Sequence, residues 1–232
     1  MACILYLETS TSVCSVALSK DGNKVFEKVS YEGPSHAALL GTFVEEAVNF
    51  SKANGYLPNA VAISSGPGSY TGLRIGTSMA KGLCMGYKIP LIAIRTLDLL
   101  ASKAIQKVND RESAYCAMLD ARRMEVYAAI YKDDLSILRE TQADIVTAET
   151  YQAFLEKSKV YFFGNGADKC KDIITSSNAV FIDDVHPLAA DMIDLAEKRY
   201  QENQFEDVAY FEPYYLKEFI ATIPKNKVLG SL

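Results

Sequence analysis

Histidine is scarce in this chain: His36 and His186 are the only two among 232 residues. A zinc or iron centre needs imidazole, thiolate or carboxylate groups that converge. The residue four after His36 is Leu40, so no HxxxH pair exists, and the sequence predicts no metal site. Serine–histidine and cysteine–histidine catalysis lack support for the same reason. Neither histidine sits in a motif, and no GxSxG elbow is present. The five cysteines (3, 14, 84, 116 and 170) are odd in number and form no CxxC pair, which reads as reduced, buried thiols of a cytoplasmic protein. No run approaches the ~18 apolar residues of a membrane span. Met1-Ala2-Cys3-Ile4 lacks a basic leader and reads directly as a strand, so no signal peptide and no membrane partner are expected. A formal net charge of −5 argues against this chain alone gripping a nucleic acid backbone.

What is present centres on Ser64-Ser65-Gly66-Pro67-Gly68-Ser69-Tyr70-Thr71-Gly72-Leu73-Arg74-Ile75-Gly76. An apolar strand pattern, Ala60 to Ile63, runs through a glycine-rich turn into a helix pattern. Gly66 and Gly68 flank a proline and allow the backbone a close approach to a neighbour. Thr71 or Ser69 is the candidate cap of the helix. Strand, glycine turn and helix N-terminus together make an anion site chemically feasible, yet both familiar phosphate fingerprints fail. GxGxxG requires glycine at Thr71, and the Walker Gly-Lys-Ser/Thr occurs nowhere. The alternatives at this point are a bound phosphate and a purely structural turn.

On the helix that follows, Arg74, Thr77, Ser78 and Lys81 form one polar stripe, and nearly everything else from Leu73 to Gly86 is apolar or small. Gly72, Gly76 and Leu83 lie opposite Arg74, with Ala80 beside them. On an earlier helix, opened by Gly33-Pro34-Ser35 with Ser35 as cap, Leu39, Leu40, Phe43, Val44, Ala47, Val48 and Phe50 cover roughly half the circumference, wider than covering one sheet requires.

Taken in order, Cys3–Thr9, Ser12–Ser19 and Lys24–Tyr31 read as a three-strand meander, its second turn at Lys20-Asp21-Gly22-Asn23. Helix 36–52, strand 60–65, helix 72–86, strand 91–94 and helix 97–107, capped by Thr96, follow. From Ser113 the order begins again. Strands 115–121, 124–132 and 136–140 precede a helix from Thr147 to Lys157 and a strand at 160–164. A short helix to about Thr175, a strand at 180–182, and a helix with Pro187 in its first turn ending near Asn203 complete the second half. The repetition predicts an α/β protein of two lobes with mixed sheets flanked by helices, divided as 1–108 and 109–232. Residues 210–232 carry no assignment.

Carboxylates at strand ends are the remaining chemical candidates. Glu8 closes the first strand before the hydroxyl-rich Thr9-Ser10-Thr11-Ser12, and Asp120 closes its equivalent in the second lobe. Such a pair is suited to holding Mg²⁺ and phosphate between lobes; the competing reading is ordinary turn polarity. Glu8, Ser10, Gly66, Gly68 and Asp120 therefore form a candidate degenerate phosphate site. Arg122 and Arg123, beside Asp120 and Glu125, read as surface pairs worth little.

The run Gly66–Gly76, followed by Ala80-Lys81-Gly82-Leu83, resembles the signature of the TsaB (YeaZ) family, bacterial proteins required for threonylcarbamoyladenosine modification of tRNA. Leu7-Glu8-Thr9-Ser10, Cys14-Ser15-Val16-Ala17-Leu18, Leu119-Asp120-Ala121-Arg122-Arg123, Glu125-Val126-Tyr127 and Tyr215-Leu216 support it, and the C-terminal third matches more loosely. The resemblance implies an actin-like (sugar kinase/Hsp70) fold of two ribonuclease-H-like lobes. It implies a non-catalytic scaffold that pairs with the paralogue TsaD and helps recruit the ATPase TsaE. It also implies tRNA engaged through the complex, with the adenosine 3′ of the anticodon as target. The pairing surface it implies is the two first-lobe helices, with Leu39, Leu40, Phe43, Ala47, Gly72, Arg74, Gly76, Met79, Ala80 and Leu83 as contact residues. No cofactor of its own is implied; a nucleotide, ATP or ADP, is a candidate at the complex interface, and a homodimer is a candidate state of the chain alone. Glu8 stands where many relatives have Asp, and Leu40 where TsaD has the second metal-binding histidine. Both departures weigh against independent catalysis and against a metallopeptidase. The rival reading is an ATP-dependent phosphotransferase or ATPase using Glu8, Asp120 and the glycine turn.

Overall fold

The computed structural model describes residues 2–33 and 36–217; the expected Ser35 cap and the tail beyond Lys217 lie outside them. The first sheet is built from β1 (Cys3–Glu8), β2 (Cys14–Lys20), β3 (Asn23–Ser30), β4 (Ala60–Gly66) and β5 (Leu91–Arg95), in the order β3-β2-β1-β4-β5. The second contains β6 (Ala114–Asp120), β7 (Glu125–Tyr131), β8 (Ile137–Ile145), β9 (Val160–Phe163) and β10 (Ala179–Ile182), in the order β10-β9-β6-β7-β8. In each, the first three strands pair antiparallel and the last two add in parallel on the other side of the first. This is the ribonuclease-H-like arrangement, present twice. The near-continuous apolar runs of β1 and β4 are explained by burial on both faces, the usual lot of parallel strands under helices.

Alternation along the strands sends side chains to two different covers. Cys3, Leu5 and Leu7 of β1 pack with α1 (His36–Ala53) and α2 (Tyr70–Tyr87), through Leu40, Val44, Ala47, Ala80 and Cys84. Ile4 and Tyr6 face the other way, onto Ala189, Met192, Ile193 and Ala196. The last two belong to α5 (Ile193–Gln201), which continues a 3₁₀ turn at Ala189–Met192. In the second sheet Cys116, Met118 and Ile130 pack on Tyr151 and Leu155, the latter in α4 (Gln152–Leu155). Tyr115, Ala117 and Leu119 pack on Leu97, Leu100 and Ala104 of α3 (Thr96–Val108). Each half of the chain therefore lends a helical segment to the other's sheet. Lys103 of α3 and Asp191, paired at 2.7 Å, join the two exchanged segments.

Several expected elements are shorter or start elsewhere. Thr96 lies within α3, whose cap position is Arg95 and has no side-chain cap bond. The stretch after Thr147 is a turn, its hydroxyl bonded to Glu149, and only Gln152–Leu155 is helical. The helix expected to Thr175 is a 3₁₀ turn at Asp168–Cys170. Pro187 precedes the 3₁₀ turn at Ala189–Met192 rather than opening an α-helix. Conversely β8 runs nine residues, to Ile145, past the expected end at 140.

Candidate docking face and glycine turn

The turn after β4 is capped by Ser69, whose hydroxyl accepts from Gly72 N at 3.2 Å. Its glycines are needed because the chain's own loop 9–10 lies against them. A Cβ on Gly68 would stand 2.4 Å from Ser10 O, one on Gly72 2.0 Å from Thr9 O, and one on Gly76 2.4 Å from Thr9 Oγ1. Ser69 N donates to Ser10 O at 2.7 Å, and Thr9 Oγ1 donates to Gly72 O at 2.8 Å. Gly66, at φ +105°, is crowded by Tyr214 O, which would lie 2.7 Å from an added Cβ. The glycines singled out in the sequence thus accommodate backbone and side chains of this same molecule.

Glu8 is fully buried. Its Oε1 accepts from Ser10 N at 2.6 Å and from Ser10 Oγ at 2.5 Å, while Oε2 has no partner among the described residues. Burial pushes its carboxyl up from 4.5 to about 7, against the opposing pull of the Ser10 hydroxyl and amide. The Ser64 hydroxyl also favours the charged form, although it has no hydrogen-bond partner among the described residues. Glu8, Ser10 and Gly68 are therefore brought together. Asp120 makes its contacts elsewhere, with Lys169 and with Arg122 N, the latter at 3.0 Å. Lys169 also donates to the carbonyls of Arg123 and Glu125, at 2.8 and 2.6 Å, pinning the hairpin that Arg122 and Arg123 turn at positive φ. Among the described residues no hydrogen bond or ion pair joins Asp120 to Glu8, and no cluster of three or more His, Cys, Asp or Glu is suited to a metal. His36 Nε2 sits 2.6 Å from Thr11 O, holding the start of α1 to the loop.

The two helices of the candidate docking face divide the expected contact residues into two groups. Leu40 (1% exposed), Ala47, Gly72, Gly76 and Ala80 are buried in the molecule's own core and offer a partner little surface. Six of the 18 residues of each helix are buried, and these positions are among them. Leu39, Phe43, Met79 and Leu83 are half-buried at the margin of that core, as is Ile75, which was not among the expected residues, and Arg74 is exposed. Along α2 lies an open, largely apolar groove of about 640 Å³ lined by Arg74, Ile75, Ser78, Met79, Leu83 and Tyr87, with Ala37 of α1 at its edge. Gly82 and Gly86, also in the groove, have no atom of the described residues within 4 Å of an added Cβ. They leave the α2 backbone open to close approach from outside. Neither glycine stood out in the sequence; their spacing of four, which puts both on one side of the helix, was the available signal.

Comparison with known proteins bears on the family and the fold. The protein-family model described as TsaD: tRNA N6-adenosine threonylcarbamoyltransferase matches residues 31–225. The tRNA threonylcarbamoyladenosine biosynthesis protein TsaB of Escherichia coli (strain K12) is 32% identical over 226 residues, covering 94% of this chain and 96% of the relative. The protein of the same name from Bacillus subtilis (strain 168) is 27% identical over 174 residues, 74% of each chain. Among solved structures, YeaZ from Pseudomonas aeruginosa superposes with a TM-score of 0.79 at 24% identity, covering 93% of this chain and all of that one; the likeness establishes the shared fold.

Proposed function

The chain belongs to the TsaB (YeaZ) proteins within the wider TsaD family, and from that premise we propose that it is a non-catalytic scaffold and activator in tRNA threonylcarbamoyladenosine biosynthesis. It pairs with a TsaD-type catalytic paralogue through the exposed surfaces of α1 and α2, and the pair recruits TsaE. It meets tRNA through that complex, in the cytoplasm. The division at 108/109, with both docking helices before it, is part of the same reading. So is the absence of a cofactor of its own, with any ATP or ADP held at the complex interface.

The observation that carries the proposal is the open apolar groove along α2, where Gly82 and Gly86 expose backbone beside half-buried Met79 and Leu83. A groove of that character is suited to another helix laid against it. Supporting it from the other direction, the glycine turn is filled by loop 9–10 and Glu8 is turned onto Ser10. The positions an ATP-dependent phosphotransferase would use are thereby engaged internally.

The test is Leu83→Arg titrated against the cognate TsaD-type subunit by calorimetry. Leu83 lines the groove at the edge of the core, so the variant should remain folded and lose measurable binding. Undiminished affinity in a folded variant would overturn the assignment of this face.

A further inference from the structure

The end of the described chain is mounted beside the docking helix. After α5, Glu206 N donates to Leu91 O at 2.9 Å, attaching residues 206–217 to the edge of the first sheet. Asp207 then fixes a tight turn, its carboxylate accepting from Ala209 N at 2.8 Å and Tyr210 N at 3.3 Å, and its carbonyl from Phe211 N at 2.8 Å. Val208 and Phe211 pack into the same core as α2, and Lys81 of α2 donates to Ala209 O at 3.0 Å. Further on, Tyr214 N donates to Ser65 O at 2.7 Å and the Tyr215 ring meets Tyr70 at 4.9 Å between centroids. Lys217 pairs with Glu125 of the second sheet. This strap is held at both ends and in the middle.

Its position relative to α2 gives it meaning. At about 100° per residue, Arg74, Ser78, Gly82 and Met85 share an arc of about 80°, and all four face solvent. Residue 79, where Gly41 of α1 comes close, lies on one side of that arc; Lys81, holding the strap, lies on the other. Whatever covers the α2 arc therefore has α1 along one flank and the strap along the other. On the strap, Tyr210 is 84% exposed although its backbone N–H is held by the Asp207 turn. An exposed tyrosine with its backbone fixed, next to the strap residue that Lys81 of α2 holds, is the type of residue that dominates binding at interfaces, since its large area is buried at small entropic cost. Arg74, in the same arc, donates from Nη1 to Tyr70 Oη at 3.1 Å and lies over that ring at 5.4 Å, and makes no ion pair among the described residues.

We propose that the strap is the second wall of the docking surface, so that the subunit seated on α1 and α2 also closes over Tyr210. This rests on the reading of α1 and α2 as the TsaD-docking face and extends it to a part of the chain some 120 residues further on. Arg74, Ser78 and Gly82 belong to both the groove and the arc, and Lys81 ties the strap to the arc's other side, which argues for one partner covering all three; the Arg74 charge, bonded to the neutral Tyr70 hydroxyl, argues for a carboxylate on that partner.

The experiment titrates the TsaD-type subunit with the full-length chain carrying Tyr210→Ala, Tyr210→Phe or Leu83→Arg, with thermal melts of each. Tyr210→Ala should weaken binding about ten-fold or more, Tyr210→Phe should retain most of it, and both should melt like the parent. If Tyr210→Ala binds as the parent does while Leu83→Arg does not bind, the strap lies outside the interface and this inference fails alone. If both bind normally, the docking reading fails and takes the inference with it. If Tyr210→Ala leaves subunit affinity intact but lowers tRNA affinity of the assembled complex, the exposed ring is a nucleic-acid platform and the proposal is overturned.

Discussion

Glu8→Gln should change stability in a way that depends on pH and has a fixed sign. In the fold the Glu8 carboxyl titrates near 7 because burial disfavours its charge, against 4.5 when solvated. Between those values the native state holds a proton that the unfolded state has lost, so stability falls as pH rises. Below 4.5 both states are protonated and no penalty exists; above 7 both are ionised and it is complete. A shift from 4.5 to about 7, at 1.36 kcal/mol per unit, corresponds to about 3 kcal/mol. Glutamine keeps an oxygen for the Ser10 amide and hydroxyl but cannot ionise. Its amide N–H₂ replaces an oxygen that already lacks a partner, at a cost of about 1–3 kcal/mol independent of pH. The parent should therefore lose about 2–3 kcal/mol relative to Glu8→Gln between pH 5 and pH 8.5. Urea denaturation of both proteins at those two pH values measures it, and the pH-independent cost cancels in the comparison. A stability gap that is the same at both values would refute a protonated, buried Glu8.

Two substitution pairs test the division between core and open surface. Gly72→Ala places a methyl 2.0 Å from Thr9 O and should cost about 2–3 kcal/mol, whereas Gly82→Ala meets none of the described residues within 4 Å and should raise stability by up to about 1 kcal/mol; thermal melts of both decide it. Leu40→Arg puts a charge where Leu40 is 1% exposed and should cost more than about 4 kcal/mol, while Leu83→Arg, at the core margin, should cost about 1 kcal/mol. Equal destabilisation of the second pair by urea titration would contradict the placement of the groove.

The doubled element order was legible because each half opens on three strands whose apolar runs and turn residues stand out without tertiary context. The short elements were not. Thr147 and Pro187 carry local start signals, but Thr147 spends its hydroxyl on Glu149 and Pro187 stands before a 3₁₀ turn. Which sheet a helix would cover was equally hidden: nothing in the sequence of α3 marks it as cover for Tyr115, Ala117 and Leu119 rather than for the sheet of its own half. At the site, an over-wide apolar face on α1 was visible, but which part of it is core depends on helix rotation about the sheet. Leu40 and Ala47 turned inward; Leu39 and Phe43 stayed at the margin. Gly66, Gly68, Gly72 and Gly76 announced close approach, and only the fold identifies what approaches: Thr9, Ser10 and Tyr214 of the same molecule.

The central claim is that this chain activates a partner rather than performing the chemistry. Threonylcarbamoyl transfer to tRNA should be measured with the TsaD-type subunit and TsaE, with and without this chain, alongside ATP turnover by the chain alone. The account predicts transfer only when the chain is added, and no turnover by the chain in isolation. Transfer at full rate without it, or ATP turnover by the chain alone that is lost in Glu8→Ala, would contradict the account.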